Sequence, residues 1–191
     1  MTVHQPITAD VGQHAWKVRR EDFLLLEANG SFREYVRTEL LDGEIWVVNA
    51  IHSRHAGVQA ELHGRLWAAL NALHSPLKTY IAPSVDLSDT SLPEPDLVIG
   101  APHQDGFVPL AKVALVIEVS DTTLETDLGR KQRIYAASGV PEYWVADVNA
   151  RVIHRMWSPN GDRFAHSDQV GFGDALSAVT ISGLTVDTTI L

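Results

Sequence analysis

Two apolar runs constrain this chain most, because each carries one carboxylate where a buried strand should carry none. The first is Pro95-Asp96-Leu97-Val98-Ile99, and the second is Val113 to Val119, with Glu118 embedded in it. Ionised groups are rarely buried without a partner or a metal. The second run is the most β-branched in the chain and reads as a central strand. Gly100 closes the first run, and a polar loop over Ala101 to Val108 separates the two.

Around that centre the pattern alternates between strand and helix. Val18 to Glu27 reads as a short amphipathic helix ended by Asn29-Gly30. Tyr35 to Val48 reads as a β-hairpin turning at Asp42-Gly43. Its Glu39 and Glu44 are expected on a solvated face. His55 to Leu73 is helix-like, with Val58, Leu62, Leu66, Trp67, Ala69, Leu70 and Leu73 on one face and Ser53 as candidate cap. Thr79 to Leu87 reads as a strand. A helix is expected over Thr123 to Ser138, capped by Ser120 or Asp121, with Leu124, Leu128, Ile134 and Ala137 inward. Gly139 suits its C-terminus and Pro141 stops it. Strands over Glu142 to Val148 and Arg151 to Trp157 follow, then one edge strand in Leu176 to Leu191. The order predicts an α+β (α/β) fold with a mixed central sheet flanked by helices and an added N-terminal hairpin. Residues 1–15 read as a loose tail and 16–191 as a single domain.

Bulk properties narrow the function. A formal net charge of −9 argues against a broad basic surface for nucleic acid, so any DNA binding must use a local groove or a metal. Arg130, Lys131 and Arg133 form the basic cluster nearest the acids, and Arg151 and Arg155 another. No apolar run approaches the ~20 residues of a membrane span. Without a cysteine, disulfide and thiol chemistry are excluded. A cytoplasmic location fits these features.

If the two acidic strands pair antiparallel, Asp96 and Glu118 become neighbours across the ladder. Like charges that close call for a cation between them. Carboxylates with a main-chain carbonyl, that of Val119, suit Mg²⁺ or Mn²⁺ better than zinc. His52 and His55 make only a weak zinc pair. Asp127, Lys131 and Tyr135 recur at four-residue steps on roughly one helix face. That face either turns toward the strand ends, where Lys131 could orient water or steady a phosphate, or carries a surface ion pair. Tyr143 and Trp144 point to opposite faces of their strand, and at least one is expected in the core.

Taken together, Pro95-Asp96, Leu115 to Ser120, Asp127, Lys131, Tyr135 and Gly139-Val140-Pro141-Glu142-Tyr143-Trp144-Val145-Ala146-Asp147 resemble the Uma-two family of endonucleases. That family lies in the restriction-endonuclease-like PD-(D/E)XK superfamily. The hairpin Glu39 to Glu44 and the following His55 resemble its N-terminal signature. The resemblance implies a restriction-endonuclease-like core, a divalent metal at Asp96 and Glu118, and DNA as substrate. It departs at one place: the superfamily lysine two positions after the Glu is Ser120 here. Lys131 on the next helix is the replacement candidate, and Glu44, His55, Asp127 and Tyr135 are secondary candidates. A degenerate restriction-like domain serving as a binding or assembly module is the competing reading. Trp46, Trp157 and Leu184 to Leu191 are candidates for a homodimer face.

Overall fold

The computed structural model describes residues 15–48, 52–189 and 191. All but the last position of the expected tail lies outside the described residues. Six strands form the central sheet, in the order β10-β9-β8-β7-β5-β3. They are β3 (Lys78–Ile81), β5 (Leu97–Gly100), β7 (Val113–Ser120), β8 (Glu142–Asp147), β9 (Val152–Asn160) and β10 (Arg163–Gly171). The pairing of β7 with β8 is parallel and the other four are antiparallel. The sheet is mixed and flanked by helices, as the sequence predicts.

Helix α2 (Ser53–Ala72) covers one face by burying Leu62, Leu66 and Leu70, one every four residues. They join Leu97, Ile99, Leu115, Ile117 and Trp144 in the larger core cluster. Trp67 and Leu73, expected inward, are 57% and 43% exposed instead, while Val58 and Ala69 pack partly buried against the same core. Ser53 is the first helical residue, and the flanking His52 makes no side-chain capping bond.

The opposite face carries the crossover that makes β7 and β8 parallel. The expected single helix is broken into α3 (Leu124–Thr126), a π-helical turn over Asp127–Lys131, and α4 (Gln132–Ser138). Neither Ser120 nor Asp121 caps it; Thr123 is the flanking residue. Its most buried residues are Asp127, Lys131, Tyr135 and Ala136, whereas Leu124, Leu128 and Ile134 are half-buried and Ala137 is exposed. In an α-helix, four-residue steps drift by about 40° each. A wider turn drifts the other way, which brings residues 127, 131 and 135 back into line over β7. Gly139 ends α4 in the left-handed region at φ 85°, where glycine is favoured.

The N-terminal hairpin pairs β1 (Arg37–Leu41) with β2 (Glu44–Val48). Asp42 and Gly43 have φ of 51° and 78°, the positive pair that a two-residue hairpin turn requires. Helix α1 (Arg20–Ala28) packs Phe23 against Leu40 and Leu92 beneath it.

Two expectations change at the edges. The run Thr79 to Leu87 is broken by Ala82, at φ 46°, and by Pro83, which has no N–H to donate. Its end becomes β4 (Val85–Asp86), paired parallel with β6 (Val108–Pro109). The C-terminal part adds no edge strand to the central sheet. It forms its own hairpin of β11 (Ala175–Ser177) and β12 (Thr185–Asp187). Its Leu176, Leu184, Val186 and Leu191 are buried in the larger core.

Candidate active site

The register of β5 against β7 sets Leu97 opposite Ile117, which brings Asp96 opposite Glu118. One step further, Pro95 falls opposite Val119 and supplies no N–H to the ladder. The Val119 N–H turns instead to Asp96 Oδ2, at 2.7 Å. His55 Nε2 lies 3.0 Å from the same oxygen, and Arg37 donates to Oδ1 at 3.2 Å. Gln59 donates to the Asp96 carbonyl at 2.9 Å. Two turns of α2 and the first residue of β1 thus fix one carboxylate at the mouth of β5. Burial alone would raise the Asp96 pKa, but the bonds and charge of His55 and Arg37 hold it below the ordinary range.

Glu118 is equally buried. Its Oε1 accepts from Lys131 Nζ at 3.0 Å and from Tyr135 at 2.9 Å. Lys131 also donates to Glu39 Oε1 at 2.9 Å, and that oxygen accepts the Glu94 N–H at 2.8 Å. Asp127 accepts from Thr123 Oγ1 at 2.6 Å, and the Tyr143 hydroxyl donates to the Asp127 carbonyl at 3.0 Å.

Four buried carboxylates, Glu39, Asp96, Glu118 and Asp127, face one buried ammonium and the nearly buried Arg37. With all four ionised, the carboxylates exceed these two cations by two charges. Desolvation by burial, reinforced by Asp96, Asp127 and Glu39, outweighs Lys131 and pushes Glu118 up to about 8. Burial also raises Asp127. Lys131 is pulled the other way: burial would lower its pKa, but Glu118, Glu39 and Asp127 raise it, so the ammonium stays charged. Burial and the neighbouring carboxylates thus favour the protonated form of Glu118.

These groups line a cleft of about 250 Å³ that includes Arg37, Glu39, His55, Asp96, Glu118 and Lys131. Asp127, Val119 and Trp46 line it as well. The structure brings together Asp96, Glu118, Lys131, His55, Asp127 and Tyr135. Glu44 is not among them: it is exposed, pairs with Arg130, and does not line the cleft. Glu39 reverses its expectation, being 4% exposed rather than solvated. It sits on the hairpin face shared with Arg37 and Leu41, and alternation is the signal that groups it with Leu41. Arg37 was not a sequence candidate, and no motif marks it.

Oxygen donors and excess negative charge fit a hard divalent cation rather than zinc. Among the described residues no group of three or more His, Asp or Glu side chains is gathered as a metal cage. Two carboxylates completed by main chain and water are the arrangement that Mg²⁺ tolerates.

Comparison with known proteins follows the same lines. The profile of the Uma2 family, described as "Putative restriction endonuclease", matches residues 20–189. A crystal structure described as "a putative nuclease belonging to DUF820", from Anabaena variabilis ATCC 29413, has a similar fold with a TM-score of 0.61. It is 16% identical, and the alignment covers 87% of this chain and 91% of that one. No curated protein matches.

Proposed function

The chain belongs to the Uma2 family, and from that premise we propose that it hydrolyses phosphodiester bonds of DNA as a metal-dependent endonuclease. One observation carries the reading: Lys131 Nζ reaches the Glu118 carboxylate in the cleft that Asp96 also lines. The ammonium replaces, from a different element, the motif lysine that Ser120 lacks.

Asp96, Glu118 and the main-chain carbonyl of Val119 would hold Mg²⁺ or Mn²⁺. The chemistry supplied by a bound ion is activation of water and stabilisation of charge developing on the phosphate. Lys131 is locked between Glu39 and Glu118, so its remaining N–H is pre-aimed to steady the scissile phosphate or orient the attacking water. Arg37 and His55 hold the Asp96 carboxylate in one orientation. Tyr135 does the same for Glu118, and Asp127 shares the charge on Lys131.

One observation favours a second reading, a degenerate domain that binds or assembles without cleaving. Both Asp96 oxygens are already hydrogen-bonded, by Arg37, His55 and the Val119 N–H. Calorimetric titration with Mn²⁺ and nicking of supercoiled plasmid separate the two. The nuclease reading expects Mn²⁺ binding and nicking, both lost in Asp96→Asn and Glu118→Gln. Absence of both in the unsubstituted protein would leave the second reading.

A further inference from the structure

The hairpin brings more than Glu39 to the cleft. Glu39 and Trp46 are direct cross-strand partners, as are Arg37 and Val48. Directly opposed residues project from the same face, with Cβ atoms about 4.5–5.5 Å apart. Trp46 therefore stands one side chain away from the Lys131–Glu39 pair. It is 37% exposed and lines the cleft beside Val47, itself 41% exposed. Arg130, the neighbour of Lys131 in the π-helical turn, lies over the Trp46 ring at 5.0 Å. That guanidinium packs against the indole, which still leaves part of its surface open at the edge of an acidic site.

Apart from Arg133, the arginines nearest the cleft are spent on protein carboxylates. Arg37 pairs with Asp96, Arg130 with Glu44, and Arg54 with Asp121. With a net charge of −9, little is left to neutralise the many phosphates that duplex binding requires. The cleft, at about 250 Å³, is smaller than the ~300–1,000 Å³ of drug-sized sites. Space of that size suits a single unpaired residue. A separate open groove of about 690 Å³ is lined by Arg130, Arg133, Ser88 and Ser91.

We infer that Trp46 is a stacking platform for an unpaired nucleobase next to the scissile phosphate, so that the substrate is single-stranded or flapped DNA rather than continuous duplex. This rests on the nuclease reading for its substrate class. Base-on-aromatic stacking supplies the affinity that phosphate contacts do not.

The test uses the full chain in metal-free buffer, with fluorescence anisotropy of labelled single-stranded, 3′-flapped and blunt duplex oligonucleotides. Single-stranded and flapped DNA should bind more tightly than blunt duplex. Trp46→Ala and Trp46→Leu should weaken that binding by about 5- to 150-fold, while Trp46→Phe retains most of it. Leucine keeps apolar volume without a π face, so the Leu and Phe variants decide the matter if the Ala variant fails to fold. Equal binding of all three DNAs, or unchanged binding in Trp46→Leu, overturns the inference. Trp46-dependent binding without metal-dependent cleavage would keep the platform and sink the nuclease reading. Cleavage of duplex that survives Trp46→Leu would do the reverse.

Discussion

Lys131 and Glu39 lie 92 positions apart in the chain, yet their side chains meet at 2.9 Å in a buried contact. That pair ties the hairpin to the crossover helix, and through Glu118 to the central strand. Three acids share the field of one ammonium, so the lysine is structural and site-forming together. Lys131→Met should destabilise the fold by about 3–5 kcal/mol, the usual cost of breaking a buried ion pair from one side. Adding Glu39→Gln should recover part of that loss, because one orphaned carboxylate disappears. Urea denaturation of the two single variants and the double variant measures the coupling. Simple additivity would mean that the two groups do not interact.

The Glu118 proton gives a pH signature. Its folded pKa, about 8, lies above the ordinary carboxylate value of 4.5, so the folded state binds the proton more tightly. The contribution of this group is fully present below about pH 4.5 and is lost as pH rises through about 8. Glu94, pushed up to about 7 by burial, acts in the same direction. The metal-free protein should therefore lose melting temperature between pH 5.5 and pH 8.5. Mn²⁺ affinity should rise over the same window, since the ion competes with that proton. Scanning calorimetry across the range should show a shallower slope in Glu118→Gln. An identical slope would place the extra proton elsewhere.

Much of this site was legible because carboxylates inside apolar runs are costly, and Asp96 and Glu118 stood out on that ground alone. The Asp42-Gly43 turn and the Gly139-Val140-Pro141 stop were equally local signals. What escaped prediction was non-local. Glu39 looks like any hairpin acid until Lys131 arrives from the π-helical turn to pair with it. Arg37 is an ordinary strand residue whose role depends on Asp96, 59 positions away. The crossover was half legible: Leu124 and Leu128 do pack against the core, but the cluster at Glu118 sets Asp127, Lys131 and Tyr135 deeper still. The C-terminal run resembles an edge strand in sequence because its short apolar segments look the same whether they pair with the sheet or lie on top of it.

Glu142 offers a test of the fold that leaves the cleft alone. It is fully buried at the start of β8, and no cation pairs with it among the described residues. Its Oε1 accepts from Trp144 Nε1 at 2.7 Å. Its Oε2 accepts from the Val179 N–H at 2.9 Å and from the Thr180 N–H and hydroxyl at 2.7 Å each. All four partners donate, so the position demands an acceptor on both sides. Glutamine is therefore not conservative here: its amide would set N–H against the N–H groups of Val179 and Thr180. Val179 and Thr180 are exposed and can turn to water, whereas the Trp144 ring cannot. Glu142→Ala should cost about 1–3 kcal/mol for that orphaned indole N–H, and Glu142→Gln a comparable amount for the donor clash. In both, hydrogen exchange should accelerate in the β11–β12 hairpin, which this carboxylate holds to the sheet. Any metal-dependent nicking should persist below the lowered melting temperature, because the cleft residues do not touch Glu142. Full stability in Glu142→Gln would show that one acceptor oxygen is enough and that the latch is weaker than its four donors suggest.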